Sequence, residues 1–167
     1  MEESQIIIRE MKLGVEKKLL KVAKNAFRFI ESLFVSKPET AMVAEYDGVI
    51  VSGMIYNIID SSSKKIAYVD EAFVDFDYQG SGIGRKLYNK TFEHLWNLNC
   101  DVITAMVKDD NVGSWKLLEG NHFKKESFNQ IIKEIGFLPL LLNLFGCTFI
   151  MNGNLYHDAY DYTYISL

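Results

Sequence analysis

Val74-Asp75-Phe76-Asp77-Tyr78-Gln79-Gly80-Ser81-Gly82-Ile83-Gly84-Arg85 is the stretch whose reading decides the fold. Upstream of it, residues 66–74 are a run of β-formers. Downstream, Ile83, Leu87, Tyr88, Phe92 and Leu95 recur at helical spacing. The pattern predicts a strand that enters a glycine-rich turn from which a helix starts at once. The first amides of such a helix lack acceptors inside it, and its dipole adds partial positive charge. Glycines let a ligand approach the main chain closely, so the turn suits phosphate oxygens, with Arg85 in the first turn as an added charge.

Two common phosphate fingerprints do not fit. GxGxxG fails because Arg85 stands where the third glycine belongs and no βαβ unit precedes it, and a P-loop fails because no Gly-Lys-Ser/Thr follows. Gln79-x-x-Gly82-x-Gly84 matches instead the Gln/Arg-x-x-Gly-x-Gly/Ala signature, and in it the chain resembles the GNAT superfamily of N-acyltransferases. Residues 43–53, ending in Gly53, are similar to that family's second hairpin. Asn111 followed by Ser114, Leu117 and Phe123 is similar to its fourth-helix pattern. Leu155 onward, with His157-Asp158-Ala159-Tyr160, resembles its closing strand. A tight turn of no special function is the alternative for the glycines taken alone.

The resemblance implies an α/β (α+β) acyl-CoA N-acyltransferase fold, a mixed and mostly antiparallel sheet flanked by helices. It also implies that acetyl-CoA, as co-substrate, lies in a split between the strand ending at Val74 and the strand ending at Val107. Backbone groups of Ala72, Phe73 and Val74 are then expected to pair with the pantetheine arm, as an added strand would. Amides of Gly80, Ser81, Gly82, Ile83, Gly84 and Arg85 are expected to hold the pyrophosphate, and Asn111 to position the pantetheine.

The whole-chain arithmetic agrees with one such domain over residues 1–167. At 167 residues the chain can bury a core without metal or disulfide, and its apolar share of 49% and charged share of 24% are those of a globular protein. A net charge of −4 argues against a nucleic-acid-binding face. Cys100 and Cys147 belong to no metal-binding spacing, so no metal is expected. Met1-Glu2-Glu3 lacks the basic start of an export signal, which leads to the expectation of a cytoplasmic protein. The apolar residues 137–151, interrupted by Pro139 and Asn143, are too short for a membrane span, which takes about 20 apolar residues.

Other elements follow from local pattern. Residues 5–10 read as a strand, and Val15, Leu19, Val22, Ala26, Ile30 and Leu33 as the apolar stripe of a helix over 15–34. Asp47-Gly48 joins two β-rich runs, 41–46 and 49–59, as a tight hairpin, and Ser61 to Ser63 make the next turn. Residues 102–107 read as a buried strand, Asn111 as the N-cap of a short helix, and 122–127 as a strand. An apolar insert at 128–146 follows, between the family's strands six and seven, then a strand at 147–151. Asn152-Gly153 turns into a Tyr-rich strand at 155–165. The order is strand, helix, three strands, helix, strand, helix, strands.

The chemistry implied by the resemblance is direct attack of a neutral amine on the thioester. An amine of pKa near 10 needs a base, and the oxyanion needs a donor, which the family draws from a backbone amide near Val74. Two positions depart from the family pattern. Leu118 stands where a Tyr often protonates the thiolate, and Met106 where some members carry a Glu. Glu71, with Asp70 as the other candidate, is expected to be the base. Alternation puts the two on opposite faces just before a bulge, and a solvent-facing carboxylate is the plain alternative for each. Tyr156, Tyr160, Tyr162 and Tyr164 share one face by period two, as substrate lining or as sheet packing. Structural roles suit His94 and His122 better than catalytic ones, His157 is no more persuasive, and Cys147 has no His partner.

The acceptor is read as a primary amine on a small molecule or a protein. A non-catalytic acyl-CoA sensing module of the same fold is the alternative, because the acid position is Leu118. A lipid-contacting role is the third, against which Pro139 and the lack of a basic rim count. The insert reads as core packing, as a lid on the acceptor site, or as a homodimer surface through residues 128–151.

Overall fold

The Asp47-Gly48 turn sets the register of the sheet. Asp47 has φ +50° and Gly48 φ +76°, the pair of positive angles that a two-residue hairpin needs. In the computed structural model, residues 6–27, 38–60, 64–107, 111–126, 148–151, 154–157 and 163–166 are described. They form β1 (Ile6–Glu10), α1 (Glu16–Ala26), β2 (Ala41–Tyr46), β3 (Val49–Asp60), β4 (Lys65–Val74), α2 (Ile83–Asn97) and β5 (Val102–Met106). After these come α3 (Val112–Gly120), β6 (Lys124–Glu126), β7 (Thr148–Met151), β8 (Asn154–His157) and β9 (Thr163–Ser166).

Seven strands make one sheet in the order β1-β2-β3-β4-β5-β9-β6, and β7 and β8 make a separate hairpin. Every pairing in the large sheet is antiparallel except that of β4 with β5, which is parallel. This is the mixed, mostly antiparallel sheet with flanking helices that the resemblance implies.

Helices cover both faces. On one, Leu19, Val22 and Ala23 of α1 pack with Val43, Ile55 and Phe73. On the other, Leu87, Tyr88, Phe92 and Leu95 of α2 and Leu118 of α3 pack with Met54, Tyr56, Ala67, Val69, Ile103 and Ala105. Gly53 makes the first contact possible. A Cβ there would overlap Leu19 Cδ1 and stand 2.9 Å from Phe73 Cζ.

Two elements differ from their expectation. Helix α1 ends at Ala26, because Phe27 is extended and lays its ring edge-on against Phe73 at 5.7 Å. Residues 28–34, the rest of the expected helix, lie outside the described residues, as do Ser61 to Ser63 and the insert at 128–146. The Tyr-rich segment is not one strand. Tyr156 pairs with Phe149 in the small hairpin, while Tyr164 pairs with Ala105 in the large sheet. The expected stripe therefore does not form one face, and Tyr160 and Tyr162 lie outside the described residues. No described helix is long and apolar enough to cross a membrane.

Candidate active site

The site grows from the divergence of two strands. Strand β4 pairs in parallel with β5 only over residues 66–69 against 102–105, while its pairing with β3 continues to Val74. Beyond Val69, the edge of β4 that faces β5 has no strand partner among the described residues.

A bulge marks the point of divergence. Tyr56 pairs with Val69 and the next residue, Ile55, pairs with Glu71, so Asp70 is the extra residue. Cross-strand partners share a face. Tyr56, Val69 and Met54 pack under α2, whereas Ile55, across from Glu71, packs under α1. Asp70 follows Val69 and so turns to the α1 face, and Glu71 turns there too. The expectation of opposite faces is corrected for a plain reason: one inserted residue shifts the alternation by one.

Both carboxyls are held in a poorly hydrated place. The Glu71 pKa is pushed up to about 8, first by burial and then by the charge of Asp70. Burial raises that of Asp70 as well. Glu71 Oε2 is buried and has no hydrogen-bond partner among the described residues. The same is true of Thr104 Oγ1 on β5, a position that the sequence did not single out.

The main chain beyond the bulge alternates in direction. The Asp75 amide donates to the Val51 carbonyl at 2.8 Å, so Asp75 and Phe73 turn their backbone groups to β3. Ala72 and Val74, one residue out of step, turn theirs toward the split. Of the three residues expected to pair with a pantetheine, Ala72 and Val74 thus face it. Phe73 spends its main chain on β3 and its ring on the α1 core.

A 3-10 turn, Phe76–Tyr78, capped by the Asp75 side chain, leads into the glycine loop. Gln79 Nε2 donates to the Val74 carbonyl at 3.1 Å, which ties the loop to the end of β4. Gly80 has φ +75° and Gly82, the N-cap of α2, φ +82°. A Cβ at either would meet nothing within 4 Å, so backbone angle and not space demands glycine there. The first bond of α2 runs from the Lys86 amide to the Gly82 carbonyl, which leaves the amides of Ile83, Gly84 and Arg85 without a helical acceptor. Ile83 is fully buried, Arg85 is exposed, and the Ser81 hydroxyl is held by the Tyr78 carbonyl. Asn111 caps α3 by accepting the Ser114 amide at 3.1 Å, so its Oδ1 is committed and its Nδ2 is what remains to offer.

Leu118 is buried in the core under α3 and brings no hydroxyl to the split. His94 lies on the far side of the sheet from Glu71, with Nε2 3.1 Å from the Tyr56 hydroxyl and Nδ1 3.4 Å from Glu10 Oε1. Burial is the main cause that pushes the Tyr56 hydroxyl up to about 12, so it stays a neutral donor. His122 lies in the turn after α3, and His157 is paired with Thr148 in the small hairpin. Cys147 is outside the described residues. Among the described residues, no group of three His, Cys, Asp or Glu side chains stands ready to hold a metal.

Solved structures share this fold. A GNAT-family acetyltransferase from Staphylococcus aureus superposes with a TM-score of 0.62 at 15% identity, covering 96% of this chain and 97% of that one. The ribosomal-protein-S18-alanine N-acetyltransferase from Escherichia coli gives 0.62 at 16% identity, over 73% of this chain and 79% of that one. A GNAT-family acetyltransferase from Brucella melitensis, solved with acetyl-CoA, gives 0.58 at 18% identity, over 71% and 82%. At such identities the likeness is one of fold. The sequence model of the acetyltransferase (GNAT) family matches residues 13–123, well over half of the chain, and the chain belongs to that family.

Proposed function

We propose that the protein is an N-acetyltransferase that moves the acetyl group of acetyl-CoA to a primary amine of a small molecule or a protein. The observation that carries this reading is Glu71. It is a half-buried carboxyl with raised proton affinity and an oxygen without a partner among the described residues, placed where β4 leaves β5. A group with a pKa of about 8 suits a base that must take a proton from an ammonium or an attacking amine near neutral pH.

In this reading Ala72 and Val74 pair with the pantetheine arm along the free edge of β4. The amides of the loop from Gly80 to Arg85 receive the pyrophosphate, and Asn111 Nδ2 donates to the arm. The amine attacks the thioester carbon, Glu71 takes the proton, and the Val74 amide donates to the oxyanion. The thiolate of coenzyme A then departs, without a side-chain acid at position 118. The E. coli relative, which acetylates a protein alanine, and the Brucella relative, which binds acetyl-CoA, support the class of reaction.

Leu118 favours a second reading, a module of the same fold that binds acyl-CoA without turnover. Incubation with acetyl-CoA and a panel of primary amines, with free thiol as the readout, separates the two. Amine-dependent thiol release supports transfer; saturable coenzyme A binding with no release on any amine supports the module. The single domain over 1–167 and a homodimer through 128–151 belong to the same proposal, and a monomeric mass in solution at micromolar concentration removes the dimer.

A further inference from the structure

Ser52 sits on β3 directly across from Val74 and is completely buried. Its hydroxyl does not bond to its cross-strand partner. It donates to the carbonyl of Phe73 at 2.6 Å. That carbonyl already lies in the β3 ladder, so the hydroxyl is a second donor on one acceptor, deep in the sheet.

The carbonyl of Phe73 and the amide of Val74 belong to one trans peptide plane and point in opposite directions. Backbone alternation aims the carbonyl at β3 and the Val74 amide into the split between β4 and β5. A donor on one end of a peptide unit polarises the whole unit and makes its N–H a stronger donor, by about 10–30% per bond in condensed phase. The peptide unit that follows is held as well, because Gln79 Nε2 donates to the carbonyl of Val74.

We infer that Ser52 is a positioning residue for acyl transfer, whose hydroxyl orients and polarises the Phe73–Val74 peptide so that its amide meets the thioester oxygen. The inference rests on the proposed reaction for what the amide meets, but not for the polarisation itself. No bond is made or broken by Ser52. Its role is complete before substrate arrives, as preorganised electrostatic stabilisation requires.

The test compares the wild type with Ser52→Ala, Ser52→Thr and Thr91→Val. The last removes an equally buried hydroxyl, which donates to the Leu87 carbonyl at 2.8 Å on α2, away from the split. Three readouts are taken: the Val74 amide 15N shift in the free protein, the carbonyl stretch of bound 13C-acetyl-CoA, and kcat against KM. Ser52→Ala is expected to move the Val74 resonance upfield, to raise the bound carbonyl frequency, and to lower kcat by about 5-fold at unchanged KM, a fraction of what loss of an oxyanion donor costs. Ser52→Thr should restore all three, and Thr91→Val should leave them alone. Where the alanine variant does not fold, Ser52→Cys keeps the volume with a weaker donor and serves in its place. An unmoved Val74 resonance in a folded variant, or an equal loss of kcat in Thr91→Val, overturns the inference. If the wild type acetylates no amine, the proposed reaction fails, and the Val74 shift and bound carbonyl frequency still decide on Ser52.

Discussion

Asp70 and Glu71 are consecutive in the chain and yet turn their carboxyls to the same face of the sheet, because the bulge against Ile55 and Tyr56 inserts one residue between the two registers. Burial resists the ionisation of both, and at Glu71 the charge of Asp70 adds to the resistance. With Glu71 as the proposed base, its pKa of about 8 is expected to set the acid limb of kcat/KM, since a base acts only when deprotonated. Activity is expected to rise through pH 8. In Asp70→Asn the limb should move to lower pH, because a contributing charge is gone, with the same acceptor amine used for both proteins. An unmoved limb in Asp70→Asn would show that the pair does not share the site.

The same shift bears on stability. A group whose folded pKa lies above its ordinary 4.5 binds its proton more tightly in the folded state. Its contribution is therefore full below pH 4.5 and lost as pH rises toward 8. Glu71→Gln carries no such loss. Its melting temperature should gain on the wild type across that window, while its turnover falls by about 100-fold, the scale of general-base catalysis. A melting difference that stays constant from pH 4 to 9 would remove the assignment.

Gly82 and Gly84 share a motif but not a reason for being glycine. Gly82 holds φ +82° at the helix N-cap, whereas a Cβ at Gly84 would stand 3.4 Å from Val74 Cγ2 and 3.7 Å from Leu117 Cδ1, ordinary contacts. Gly82→Val is expected to weaken coenzyme A binding by at least 10-fold, since a β-branched residue does not hold that angle and the amides turn away. Gly84→Ala should bind within about twofold of wild type, because its packing contacts stay ordinary. Calorimetric titration with coenzyme A checks both, and equal losses would contradict the division of roles.

Gly53 gives a packing prediction. Its Cβ would overlap Leu19 Cδ1 and crowd Phe73, so Gly53→Ala should destabilise by about 2 kcal/mol, the usual scale of overpacking. Leu19→Ala costs stability on its own. The double variant should lose less than the sum of the two, because the shortened Leu19 vacates the space. Denaturant unfolding of the four proteins measures the coupling, and strict additivity would refute the contact.

What the sequence disclosed follows the range of the interaction. The glycine loop, the Asp47-Gly48 hairpin and the Asn111 cap are set by residues within a few positions, and each stands where its pattern put it. The bulge at Asp70 depends on which residues of β3 lie across from it, and no pattern inside 65–74 encodes that. Alternation alone therefore misplaced Asp70. Period two over 155–165 reported a β-preference but not that Tyr156 and Tyr164 join different sheets. The hydrophobic stripe of α1 continues past Ala26, but the Phe27 contact with Phe73 ends the helix. Ser52 lies inside the 43–53 hairpin stretch but carries no signature of its own. Its position beside Gly53, on the strand that leaves the Asp47-Gly48 turn, was the available signal.

His122 closes α3 in a conformation that glycine favours. Its φ is +67°, its amide donates to the Glu119 carbonyl at 3.0 Å, and the next amide, of Phe123, donates to the Leu118 carbonyl at 3.1 Å. These two bonds make a Schellman motif with His122 at the left-handed position, and Leu118 and Phe123 complete it by sharing the core. A side chain at such an angle costs about 1–2 kcal/mol, partly offset because glycine loses more entropy on folding. His122→Gly should therefore stabilise by about 0.5–1 kcal/mol. His122→Ala keeps the strained angle and should gain nothing, so the pair of variants separates backbone strain from the imidazole. Urea unfolding midpoints decide it: equal midpoints for the Gly and Ala variants would assign the effect to the lost side chain.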